Sequence, residues 1–93
     1  MVSVIEFDWD DGNIKHLATH NVTPAEFEQV LNNDPLDLDY AVIDGEERYR
    51  SVGITNGGRF LLVAWTVRGG RVRAVTAFPA SASNKQNFLE RSR

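Results

Sequence analysis

Apolar and polar positions follow two rhythms along this chain, and the change from one to the other falls near residue 36. Residues 2–7 are apolar enough for a first strand, and Asp8 or Asp10 can cap the element after it, because a carboxylate accepts the free amide hydrogens of a helix's first turn. A short helix is expected from about residue 11 to residue 20. There Ile14, Leu17 and Ala18 form a narrow apolar stripe, and Asn21 can end the helix in the left-handed conformation. The next helix is better marked. Thr23-Pro24-Ala25-Glu26 is a capping box with proline at the first helical position, and Phe27, Val30 and Leu31 recur at helical spacing until Asn32-Asn33 and Pro35 stop the run.

From Leu36 the period becomes two and stays there, which predicts strands over about 38–43, 46–55, 59–67 and 71–78. Asp44-Gly45, Asn56-Gly57-Gly58 and Gly69-Gly70 separate them, and glycine supplies the positive φ that tight hairpins demand, so successive strands should be antiparallel neighbours. Phe78-Pro79 ends the last strand, and Ser83-Asn84-Lys85-Gln86 has capping-box spacing for a terminal helix through Phe88 and Leu89. The order is strand, helix, helix, four antiparallel strands, helix. That is an α+β fold in a single domain over 1–93, with no repeat or linker to divide it.

If the last two hairpins have two-residue loops, each side chain falls on a definite sheet face. One face carries Val52, Ile54, Leu61, Val63, Trp65, Val67, Val72, Ala74 and Phe78, with Arg48 and Arg50 toward one end, and should meet helices. The other carries Glu47, Tyr49, Ser51, Phe60, Leu62, Ala64, Thr66, Arg71, Arg73, Val75 and Ala77, and is the expected working face.

Composition narrows the chemistry. The 93 residues are 42% apolar and 25% charged, the balance of a globular chain, and at this length folding buries about 60–65% of the surface the unfolded chain exposes. With no cysteine there is no disulfide framework, thiol nucleophile or thiolate metal site. No apolar run approaches the ~18 residues of a membrane span, and the first ten residues lack the features of a signal peptide, so a cytoplasmic setting is expected. The net charge of −3 conceals an asymmetry: residues 1–45 hold ten acids against Lys15 alone, a balance of −9, whereas residues 46–93 carry a balance of +6. Either the halves fold together and neutralise one another, or the second half presents a basic surface suited to phosphate or an acidic partner.

Arg71 and Arg73 lie two apart on one strand, so both guanidinium groups point the same way at about 6.5–7 Å, comparable to the spacing of successive phosphates. Tyr49 could stack on a splayed base, since basic residues interleaved with aromatics serve single-stranded nucleic acid. The plainer alternative is that these arginines solubilise the sheet and pair with acids such as Glu47. His16 and His20 share a helix face at a spacing that could ligate metal, but no third ligand can be named, so no metal is expected. His20, near a helix C-terminus, is the better candidate for proton transfer, with a structural role as its alternative. No nucleophile elbow and no phosphate-binding glycine loop is present, and no cofactor is expected.

Taken in order, Phe7-Asp8-Trp9-Asp10, Asn13, His16, His20-Asn21-Val22 before the Thr-Pro-x-Glu helix, Gly45-Glu46-Glu47-Arg48-Tyr49, Gly57-Gly58-Arg59, and Gly69-Gly70-Arg71-Val72-Arg73 with Thr76-Ala77 resemble the BrnT family of bacterial toxins over nearly the whole chain. The resemblance implies a RelE-like fold, a metal-independent endoribonuclease that halts translation, and a BrnA-type antitoxin that neutralises it, with a homodimer or a toxin–antitoxin heterotetramer as the assembly. It retains His20, Glu47, Arg48, Tyr49, Arg71 and Arg73, with Lys85 as a substitute cation. Arg71 and Arg73 would bind phosphate, assisted by Arg48 and Lys85; Tyr49 would stack or position a base; His20 or Glu47 would move the proton. Two stretches depart from the family pattern. Thr19-His20-Asn21 stands where a basic residue and His-Gly are usual, and residues 78–85 replace an arginine-rich continuation. They leave a second reading open, a toxin-fold protein that binds a partner without cutting, and a third, an unrelated small-molecule or oligomerisation module.

Overall fold

Helix caps and turn glycines divide the chain into the elements of the computed structural model, which describes residues 4–91. Helix α1 (Asp11–Ala18) starts at Asp10, whose side chain accepts from the Asn13 amide while the Asn13 side chain accepts from the Asp10 amide. Asn21 comes after it at φ 58°, in the left-handed region. Helix α2 (Pro24–Asn32) has the expected reciprocal box between Thr23 and Glu26, worth about 1 kcal/mol of helix stability. Strands β1 (Leu36–Ile43), β2 (Glu46–Ile54), β3 (Phe60–Arg68) and β4 (Arg71–Pro79) form one antiparallel sheet in the order β1-β2-β3-β4. Helix α3 (Ala82–Glu90) closes the chain, capped by Ser81 rather than Ser83.

The expected first strand is reduced to a point. Met1 to Ser3 lie outside the described residues, and from Val4 onward the segment makes a single parallel bridge, Phe7 with Val72, through the Asp8 amide to the Val72 carbonyl (2.9 Å) and the Val72 amide to the Glu6 carbonyl (2.8 Å). The chain then leaves β4, because Trp9 packs edge-on to Phe27 and Asp10 is committed to capping α1.

The core lies between the sheet and helices α1 and α2. Leu17, Val22, Phe27, Val30 and Leu31 from the helical half meet Leu61, Val63, Ala74 and Ala77, with Phe7, Trp9, Trp65 and Val72 packed against them. Each fully buried large side chain in this set contributes about 1.5–3 kcal/mol. Gly53 belongs here for a steric reason: a Cβ on it would stand 3.0 Å from Val30 Cγ1 and 3.3 Å from Pro35 Cβ, so α2 can approach β2 only over glycine. On the opposite, outer face, α3 lays Phe88 edge-on to Phe60 with ring centroids 6.0 Å apart.

The sheet registers correct the expected face assignment at two places. The β2–β3 connection spans five residues, with Ile54 opposite Phe60, so Tyr49, Ser51 and Gly53 align with Trp65, Val63 and Leu61 on the inner face, while Arg50, Val52 and Ile54 align with Ala64, Leu62 and Phe60 on the outer. A two-residue loop would have shifted β2 by one position and exchanged its faces. The Gly69-Gly70 hairpin closes as expected, with Arg68 opposite Arg71, but a bulge lies between Ala64↔Thr76 and Trp65↔Ala74. Beyond it Ala77 turns into the core and Phe78 turns out.

Candidate functional site

The residues singled out in the sequence divide between the two sides of the sheet. Glu47 and Tyr49 do not share a face with Arg71 and Arg73, as a shorter loop would require; they lie on the inner side, at the end of β2 beyond the helices. There the Tyr49 hydroxyl donates to Glu47 Oε2 at 2.6 Å, and this bond to a carboxylate is the main cause holding the phenol above its ordinary pKa. Both faces of the Tyr49 ring are occupied. It stacks on Trp65 with centroids 4.5 Å apart and tilts against Tyr40 at 5.1 Å, so no base can stack on it in this arrangement. An open groove of about 510 Å³ beside it is lined by Gly45, Glu46, Glu47, Tyr49, Thr66, Val67 and Arg68.

The outer face gathers the cations and the imidazoles. Asp39, Arg50, Ala64 and Thr76 form one continuous cross-strand row, and His16 Nε2 lies 3.1 Å from Thr76 Oγ1 at its end. One row along, Leu36, Val52, Leu62 and Phe78 run toward His20, whose ring is 5.9 Å from that of Phe78. His16 and His20 stand 5.7 Å apart, ring centre to ring centre, both solvent-exposed. In the other direction Thr66 and Arg73 are paired, and Arg68 faces Arg71 at the hairpin end. At the α3 end, Lys85 holds its ammonium 4.7 Å above the ring of Phe60. Alternate strand positions repeat about every 6.8 Å, so Lys85, His20, His16, Arg73 and Arg71 present one basic group per row along the β4 side. The same spacing separates Lys85 from Arg73 by about 20 Å, too far to grip a single phosphate together.

Most of these arginines already have carboxylate partners from the acidic half. Arg73, with its side chain 21% exposed, pairs with Asp10 and, at 3.5 Å, with Asp8. Asp10 is held below the usual carboxylate range, first by the Asn13 amide and then by Arg73, while Arg73 is raised in turn. Arg50 grips Asp39 through two nitrogens and lowers its pKa. Arg48 Nε is 3.2 Å from Glu46 on its own strand. Arg71 reaches Glu6 only at 4.0 Å, between two well-exposed side chains, and neither Arg68 nor Lys85 has an ion-pair partner among the described residues.

Three contributors are weakly marked in the sequence. His16 is visible there as the helical neighbour of His20 and in the family pattern, but with no role of its own; Thr76 is brought beneath it by a bulge that no residue pattern marks, and Arg50 falls on the core side if the β2–β3 loop is given two residues. Among the described residues, no group of three or more His, Asp or Glu side chains comes together as a metal site, and no helix is long and apolar enough to cross a membrane.

Fold and site together define a small α+β protein whose sheet carries, on the face away from its core, a track of basic groups beside two paired imidazoles. The chain belongs to the family of BrnT ribonuclease toxins of type II toxin–antitoxin systems, which it matches over residues 9–84. That span takes in α1, α2, all four strands and the start of α3. Comparison with curated proteins returns no match.

Proposed function

We propose that this chain is a RelE-like, metal-independent endoribonuclease that cuts RNA on the outer face of its sheet, halts translation in the cytoplasm, and is held in check by a BrnA-type antitoxin. The observation that carries the reading is the His16–His20 pair: two exposed imidazoles 5.7 Å apart, one anchored on Thr76, in the middle of a basic track. Imidazole exchanges protons near neutral pH, and two of them can serve one phosphodiester as base and acid. One takes the proton of the ribose 2′-hydroxyl as that oxygen attacks phosphorus. The bond to the 5′-oxygen breaks, and the other imidazole protonates the leaving oxygen. The products are a 2′,3′-cyclic phosphate and a 5′-hydroxyl end. Arg71 and Lys85 at the two ends of the track, with Arg68 facing Arg71, hold neighbouring phosphates, and cations near the reacting one stabilise the charge that builds on it. Arg73 acts from behind: its pairs with Asp8 and Asp10 tie the start of α1, and so both histidines, to β4.

The test is to incubate the purified protein, free of antitoxin, with a structured cellular RNA and to analyse the product ends. Cleavage with 5′-hydroxyl ends is expected; products ending in 5′-phosphate would remove the two-imidazole mechanism. A second reading, a partner-binding toxin fold that does not cut, draws support from the carboxylates already seated on Arg48, Arg50 and Arg73. A well-folded protein that leaves RNA intact while binding its antitoxin would establish it.

A further inference from the structure

The outer edge of β1 and the hairpin end beside it form a second surface, chemically unlike the basic track. Strand β1 is an edge strand, with β2 as its only sheet neighbour among the described residues. Its pairing with β2 continues to Ile43↔Glu46, whereas the β2–β3 ladder stops at Tyr49↔Trp65, so the two hairpin ends separate around the 510 Å³ groove. Tyr40, Val42 and Ile43 are 54%, 59% and 48% exposed, and Val67 across the groove is 49% exposed. Natural edge strands are usually shortened, covered, charged, or broken by proline or a bulge; β1 carries a bulge and two carboxylates at Asp37–Asp39, but the stretch from Tyr40 to Ile43 beyond them has none of these among the described residues.

Charge selects what can cover it. Between residues 34 and 47 the sequence holds Asp34, Asp37, Asp39, Asp44, Glu46 and Glu47 and no cation. Arg91, Arg50 and Arg48 neutralise Asp34, Asp39 and Glu46, but Asp37, Asp44 and Glu47 have no cationic partner among the described residues. Registers place Asp37, Tyr40, Val42 and Glu47 on the same side of the sheet, an apolar stretch with a carboxylate at each end. Because Ile43 and Glu46 close a two-residue turn as a hydrogen-bonded pair, the amide hydrogens of Val42 and Tyr40 point outward, available to another strand.

We propose that the β1 edge docks an extended, basic segment of a partner protein, which adds a fifth strand, sets apolar side chains on Tyr40 and Val42, and directs lysine or arginine toward Asp37 and Glu47. A second copy of this chain does not suit the edge, since residues 34–47 hold six acids and no cation, and two such segments side by side repel one another. RNA is repelled by the same carboxylates. The inference holds whether or not the outer face cuts RNA.

The probe is a blocked peptide of alternating lysine and valine, titrated into the isotope-labelled full chain and followed by amide chemical shifts, with a glutamate–valine peptide as comparison. The expected result is saturable shifts concentrated in residues 36–43, no response to the acidic peptide, and at least ten-fold weaker binding to the exposed double variant Glu47→Lys/Asp44→Asn, whose own spectrum reports that it is folded. Absence of binding, equal response to both peptides, shifts centred on His16 and His20, or concentration-dependent self-association through β1 would each overturn the proposal.

Discussion

Carboxylates already occupy Arg48, Arg50 and Arg73, and this fixes how steeply RNA binding should depend on salt. Binding to single-stranded nucleic acid weakens with salt by a log–log slope of about −0.7 for each phosphate neutralised, because each neutralisation releases a condensed counterion. An arginine that must first leave its carboxylate gives no net release, since the abandoned carboxylate gathers a cation of its own. Six basic side chains besides the histidines lie along the outer face and its margins: Arg48, Arg50, Arg68, Arg71, Arg73 and Lys85. The first two and Arg73 are held by acids, Arg71 reaches Glu6 only at 4.0 Å, and Arg68 and Lys85 are unpaired among the described residues. Three available cations predict a slope of roughly −2.1, or about a 20-fold loss of affinity between 50 and 200 mM salt. If all six engaged phosphate the slope would be roughly −4.2 and the loss about 300-fold. Fluorescence anisotropy of a labelled single-stranded oligoribonucleotide, measured at one fixed pH across the salt series, separates the two. The double variant Asp8→Asn/Asp10→Asn, which frees Arg73, should steepen the slope by about 0.7. A slope near −4 for the unaltered protein would refute the idea that carboxylates hold these arginines.

Two predictions concern the scaffold. Phe27 is fully buried, with its ring edge-on to both Phe7 and Trp9, so Phe27→Ala should cost about 3–5 kcal/mol in chemical denaturation; a loss below 1 kcal/mol would show that the segment before α1 does not pack as described. Burial raises the Glu26 pKa, but hydrogen bonds from Arg59 and Thr23 more than offset it and leave it below its ordinary 4.5. A depressed folded-state pKa gives stability that is complete above the unfolded value and lost as pH falls through the folded one. The stability of the Glu26→Gln variant should therefore fall less steeply with pH below about 4.5, keeping the share that Asp10 and Asp39 supply, and an unchanged acid profile would contradict the pairing.

Local signals in the sequence carried most of the fold. Thr23 and Glu26 marked α2, Asp10 capped α1, and the Asp44-Gly45 and Gly69-Gly70 pairs adopted the positive φ values their turns required. What the sequence did not carry is what depends on counting across a loop. Asn56-Gly57-Gly58 is compatible with more than one hairpin length, and one residue of difference moved Glu47 and Tyr49 to the inner side and Arg48 and Arg50 to the outer. The bulge at Val75 brought Thr76 under His16, although nothing in Ala74-Val75-Thr76 distinguishes it from a regular strand. The ties from Asp8 and Asp10 to Arg73 join residues more than sixty positions apart and exist only in the folded chain.

The proposed chemistry lies on the outer face, with His16 and His20, and away from Glu47 and Tyr49. Its most direct test is the rate of RNA cleavage by His16→Ala, His20→Ala, Glu47→Gln and Tyr49→Phe, each matched to the unaltered protein by circular dichroism. Removing a proton-transfer group costs typically 10²–10⁴ in rate, so each histidine variant should fall by at least about 100-fold, while the other two stay within a few-fold. Histidine variants that cut at full rate while Glu47→Gln or Tyr49→Phe fail would contradict it and move the active site to the groove on the inner side.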